Sequence, residues 1–113
     1  MRVEYSCSTD QKLYCSERKL IKKFGRDQAE EIMARLAEFA SAESLDDIPR
    51  LPRHPRLHVL SGGQMNGLLS VDLIYPMRLL VRPCDPVPRK PSGDLEFARV
   101  IGIVIVGVKD THR

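Results

Sequence analysis

The 113-residue sequence predicts one α+β domain (1–113): an N-terminal strand and a helical hairpin packed on a twisted, mainly antiparallel sheet. Three observations point there. Apolar residues recur at helical spacing between about residues 10 and 40. Short runs in the second half alternate apolar with polar side chains, or are apolar throughout, as strands do. Glycine- and proline-rich stretches separate these runs. Hydrophobic residues make up 42% of the chain, enough for a single modest core.

The elements follow in order. "RVEYSC" sets Val3, Tyr5 and Cys7 against Arg2, Glu4 and Ser6, a short first strand. Thr9 or Asp10 can cap a helix whose apolar side carries Leu13, Leu20, Ile21 and Phe24, with Glu17 at the same spacing, and Gly25 stops it. A second helix begins at Asp27, with Glu30 completing a capping-box-like start; Ala29, Ile32, Met33, Leu36, Phe39 and Ala40 form its stripe. Leu45 and Ile48 pin the end of the helical part, and Pro49, Pro52 and Pro55 keep the next segment extended. Strands are then expected at 56–60, in "LLSVDL", in "MRLLV" and in "VIGIVIVGV". "SGGQMNG" joins the first two, its glycines supplying positive φ. "RPCDPVPRKPSGD" is a loop.

Composition excludes several classes. No apolar run reaches the ~18 residues of a membrane span, and the first ten residues lack the apolar core of a secretory signal, so a cytoplasmic protein without membrane contact is expected. Cys7, Cys15 and Cys84 are odd in number and form no C-x-x-C pair; neither a structural zinc nor a redox pair is indicated. Charge is uneven. Residues 1–49 hold eight Lys/Arg against ten Asp/Glu, whereas residues 50–113 hold ten against five. The basic half is the strand-bearing half, which suits a polyanionic partner.

The ionisable residues of that half carry the candidate chemistry. "RLPRHPRLH" (50–58) packs three arginines and two of the three histidines into nine residues. His58 alternates with Leu57 and Val59; if those two face the helices, His58 and Arg56 face the open side of the sheet. In "MRLLV", Arg78 is likewise opposed to Met77, Leu79 and Val81, either as an exposed charge or as a placed one. Asp110 and His112 lie two apart near the end of the last strand and so share a face; they are a frayed polar end or an orienting pair in which a carboxylate fixes an imidazole. On one face, His58, Arg78, Asp110 and His112 would suit phosphodiester cleavage in RNA. One group takes the 2′-OH proton, another protonates the departing 5′-oxygen, and arginine offsets the charge gathering on phosphorus. The 2′-OH is a built-in nucleophile, so neither metal nor cofactor is expected.

The stretches "KLIKKFG", "PRLHVLSGG", "GLLSVDL", "YPMRLLV", "DPVPRKPSGDLEFARV" and "VGVKDTH" resemble, in order and over nearly the whole chain, the RelE/ParE toxin superfamily. The nearest branch is the HigB-like plasmid maintenance system killer proteins. The resemblance implies a RelE-like fold and the toxin of a type II toxin–antitoxin pair. Such toxins are similar in function to mRNA interferases, many of which cut message on the ribosome, and their usual partner is a helix-turn-helix antitoxin. On matching positions the family's histidine falls at His58, its strand arginine at Arg78, and its terminal Asp–Tyr–His at Asp110, Thr111 and His112. RNA contacts are expected from Arg53, Arg56, Arg89, Lys90 and Lys109.

Three features depart from the family pattern. Thr111 stands where a tyrosine is usual, so a ring that could stack on a base is missing. The turn after His58 lacks the family's Lys and Arg. The loop containing Arg89 and Lys90 is long, and its charges are candidates to replace those lost. A non-enzymatic alternative follows: a gyrase poison of the ParE kind, or a decayed toxin that binds only its antitoxin. The remaining alternative is an unrelated α+β domain with an accidental basic face.

Overall fold

A computed structural model describes residues 1–51 and 56–111. Its elements are β1 (Arg2–Tyr5), α1 (Ser8–Tyr14), α2 (Glu17–Phe24), α3 (Arg26–Ser41), β2 (His58–Val59), β3 (Leu69–Asp72), β4 (Met77–Pro83) and β5 (Gly102–Asp110). Short 3-10 turns occupy Leu45–Arg50, Gly63–Met65 and Phe97–Arg99. The helices pack on one side of a five-stranded mixed sheet of order β1-β5-β4-β3-β2, an α+β arrangement. β1 runs parallel to β5, and the other pairs are antiparallel.

The first expected helix is in fact two. Cys15 donates to the Gln11 carbonyl and Ser16 to that of Leu13, which closes α1. Ser16 then turns extended, and its hydroxyl accepts from the Lys19 N–H at 3.2 Å to open α2. A serine that satisfies an orphan donor favours a fresh start over a continuous helix. Gly25, at φ +84°, links α2 to α3. It donates to Ile21 and accepts from Ala29, so it caps α3 in place of Asp27, which lies in the first turn where its charge suits the helix dipole. At the other end of α3, the Met1 ammonium donates to the carbonyls of Phe39, Ala40 and Ala42, a cation on the negative end of that dipole.

The core lies between helices and sheet. Leu20, Ala29, Ile32, Phe39, Leu45 and Ile48 meet Leu69, Val71, Leu79, Val81, Ile103 and Ile105, all buried. Each such leucine or isoleucine stabilises the fold by about 1.5–3 kcal/mol through burial. The strand expected at 56–60 narrows to two paired residues. Leu57 packs against the core as expected, whereas Val59, at the sheet edge, is 57% exposed.

A β-bulge decides which face the C-terminal residues take. Leu80 pairs with Gly107, but Val81 pairs with Ile105, so Val106 is one residue too many on β5. Strict alternation from Ile103 and Ile105 would turn Asp110 away from the helices. The extra residue reverses that: Val108 now pairs with Leu79, Lys109 with Arg78, and Asp110 with Met77. Among the described residues, no helix is long and apolar enough to cross a membrane.

Candidate functional site

The side of the sheet away from the helices carries the polar alternates of the core strands. In one row, His58 pairs with Ser70, and Ser70 with Leu80. In the next, Asp72 pairs with Arg78, and Arg78 with Lys109. Rows two residues apart are separated by about 7 Å, and neighbouring strands by about 4.8 Å. His58 and Arg78 backbones are therefore on the order of 12 Å apart, a span that imidazole and guanidinium can close onto one phosphate.

The charges on this face are engaged with one another. Arg78 Nε lies 3.3 Å from Asp72 Oδ1, and Arg56 Nε lies 3.5 Å from Asp72 Oδ2. Arg78 Nη1 also reaches 3.5 Å from Ser70 Oγ, back towards the row of His58. The Arg78 side chain is only 15% exposed, so its pairing is shielded in a way that the exposed Arg56 is not. Arg56 itself sits at φ +53°, a left-handed conformation unusual for a residue with a Cβ. Arg56, Arg78 and Lys109 outnumber Asp72, which leaves excess positive charge along this row. Beneath it, Leu80 and Val104 are buried on the open side, apart from the main core. An apolar floor lowers the local dielectric and strengthens each charge above it.

His58 differs from its neighbours. Its Nε2 is buried and meets no hydrogen-bond partner among the described residues. Leaving a buried ring nitrogen unpaired costs about 1–3 kcal/mol, so such a group calls for a reason, and a catalytic role is one.

Beside Arg78 opens a cleft of about 300 Å³, walled by Arg56, Asp72, Tyr75, Pro76 and Arg78 among others. Tyr75 lies on the turn between β3 and β4 and is 79% exposed. Three of these participants carried no chemistry in the sequence reading: Ser70, Asp72 and Tyr75. The signal for the first two was present in the alternation of "LLSVDL", which puts Ser70 and Asp72 on the same side as their neighbours His58 and Arg78. Nothing local marked Tyr75.

The structure brings His58, Arg56, Arg78 and Lys109 onto one face. It does not bring Asp110 there: through the bulge Asp110 pairs beside Met77, on the opposite side of β5 from Lys109. Arg53 and His112 lie outside the described residues. Arg89 and Lys90 follow the far end of β4 from Arg78, about five residues or 17 Å along the strand. Arg89 donates to the Gly93 carbonyl within its own loop, and Lys90 lines a separate cavity with Asp46 and Glu96. Neither adds charge beside Arg78, because the loop folds back over the edge of the core, where Leu95 and Phe97 pack.

Other perturbed groups lie away from this cleft. Burial pushes the Tyr5 phenol up to about 12, with the hydrogen-bonded Cys15 adding to it. Burial, and then Glu4 beside it, raises the Cys84 thiol. Among the described residues, no group of three or more His, Cys, Asp or Glu side chains is placed to hold a metal ion. Compared with known protein families, curated proteins and solved structures, the chain matches none.

Proposed function

We propose that the chain is a RelE-like toxin of a type II toxin–antitoxin pair, HigB-like in sequence, and that it cleaves RNA by attack of the 2′-OH on the adjacent phosphorus. The observation that carries this reading is His58 and Arg78 on one face of the sheet, the first with a buried ring nitrogen that meets no partner among the described residues and the second held at the lip of a cleft. His58 Nε2 takes the 2′-OH proton. The 2′-oxygen bonds to phosphorus, and the bond from phosphorus to the 5′-oxygen breaks. Arg78 offsets the charge on the equatorial oxygens, exchanging Asp72 for phosphate as it does so. His112 is the acid that the family resemblance supplies for the leaving 5′-oxygen. Because Nε2 is buried, RNA docking must first move aside the groups that cover it. The partner expected from the resemblance is a helix-turn-helix antitoxin, and the setting is message on the ribosome.

A second, non-enzymatic reading is favoured by one observation: through the bulge Asp110 pairs with Met77, on the other side of β5 from Lys109 and Arg78. On that reading the basic face only binds gyrase or the antitoxin. Expression of the protein followed by mapping of RNA 5′ ends separates the two. Fresh 5′-hydroxyl ends that disappear in His58→Ala support cleavage. Growth arrest with intact message and a DNA-damage response supports the gyrase poison.

A further inference from the structure

The turn between β3 and β4 carries the most exposed large hydrophobic residue among the described ones: Tyr75 is 79% exposed, against 62% for Ile101 and 57% for Val59. An exposed aromatic is ordinary when it stands on a loose loop. This one does not. Gln28 of α3 grips the turn at both ends of one side-chain amide. Its Nε2 donates to the Ile74 carbonyl at 3.2 Å, and its Oε1 accepts from the Ile74 N–H at 2.9 Å. Within the turn, Leu73 donates to Met77 and Met77 to Ile74. Pro76 fixes one further backbone angle. The backbone that carries the ring is therefore held in place, at the wall of the cleft that also presents Arg56 and Arg78.

A guanidinium pair with a solvent-facing ring on a fixed turn beside it matches the two parts of a nucleotide. Arginines take the phosphate, and an aromatic face takes an unstacked base. We propose that Tyr75 is the platform on which a base next to the bound phosphate stacks, and that Gln28 is the residue that positions it. This rests on the ribonuclease reading for the identity of the ligand as RNA. It assigns to the β3–β4 turn the stacking surface that Thr111, a residue without a ring, does not offer.

The test compares two uncleavable ligands on the full chain: a short oligomer of 2′-O-methyluridine, and an abasic, likewise 2′-O-methylated ribose-phosphate chain of the same length. The wild type is expected to prefer the base-bearing oligomer by about 5- to 150-fold, the range that one stacked base spans. Tyr75→Ala should bring that ratio close to one while leaving affinity for the abasic chain and its salt dependence unchanged. Tyr75→Phe should keep the ratio. Gln28→Ala should lower it partway, and because a ratio is read, partial unfolding does not mimic the effect. A wild type that prefers the base-bearing oligomer equally well with Tyr75→Ala overturns the platform and leaves the ribonuclease reading standing. So does a wild type that binds both ligands equally. A wild type that binds neither ligand removes the RNA reading and the platform together.

Discussion

The two sides of the sheet are made by alternate residues of the same strands, yet they are governed by different physics. Leu69, Val71, Leu79 and Val81 face the helices and are sealed there by non-directional packing. Ser70, Asp72 and Arg78, their immediate neighbours, face the other way and are held by geometry-sensitive contacts of 3.3–3.5 Å. On the helices, the buried polar atoms Arg35 Nε and Glu38 Oε1 face each other as an ion pair at 2.7 Å. The open side keeps a ring nitrogen, His58 Nε2, without a partner among the described residues. A strand can thus be optimised for stability on one side while the other retains unspent binding capacity, because a side chain on one face barely feels a substitution on the opposite face.

The sharpest way to break that separation is His58→Ala. General acid–base contributions run at about 10²–10⁴-fold, so RNA cleavage should fall by at least roughly 100-fold. Thermal unfolding should barely move, since no hydrogen bond of Nε2 is lost. A large drop in melting temperature would make His58 a structural residue instead. The mirror experiment is Leu79→Ala, one residue along from Arg78. It should cost about 2–5 kcal/mol in denaturant unfolding, with oligonucleotide affinity per folded molecule unchanged. If affinity falls as well, the two sides are coupled and the comparison fails.

Asp72→Asn probes the open side alone. Releasing Arg56 and Arg78 from their shared carboxylate should tighten binding of single-stranded RNA at low salt. It should also steepen the log-log salt slope by roughly 0.7 for each arginine that gains a phosphate. The stability change should stay within about 1 kcal/mol, because Asp72 is partly solvated. Weaker binding would mean that the carboxylate pre-positions Arg78 rather than occupying it.

The smallest effect concerns Tyr5, on the helix side. Its phenol, pushed up to about 12, keeps its proton in the folded protein where the unfolded chain has released it. Its contribution is therefore fully present below pH 10 and is lost as pH rises from 10 through about 12. Ultraviolet absorbance titration should show tyrosine ionisation delayed into that window; because burial, and then Asp10, also raises the Tyr14 phenol, Tyr5→Phe should reduce the late amplitude rather than abolish it.

The sequence made most of the sheet legible because alternation survives in short strands, and Leu69, Val71, Leu79 and Val81 were marked by it. It made His58 and Arg78 legible for the same reason. Three features were hidden. The helix break at Ser16 was masked because Leu13, Leu20 and Phe24 keep helical spacing across it. The side taken by Asp110 depends on a single extra residue, Val106, and a bulge is set by pairing with a strand some 25 residues away in sequence. The placement of the turn that carries Tyr75 depends on Gln28, which lies 46 residues before Ile74 and meets the turn only once the chain has folded.

One consequence of the strand order concerns timing. β5 lies between β1 and β4, so the last of the described strands is the one that joins the two halves of the sheet. Until it emerges, Arg2–Tyr5 has no neighbour to pair with, Leu79 and Val81 have one bare edge, and Lys109 has not reached Arg78. Long-range pairing of this kind is slow to nucleate, because loop closure must precede any gain from contact. The basic face is therefore incomplete until β5 has paired with β4 and brought Lys109 beside Arg78.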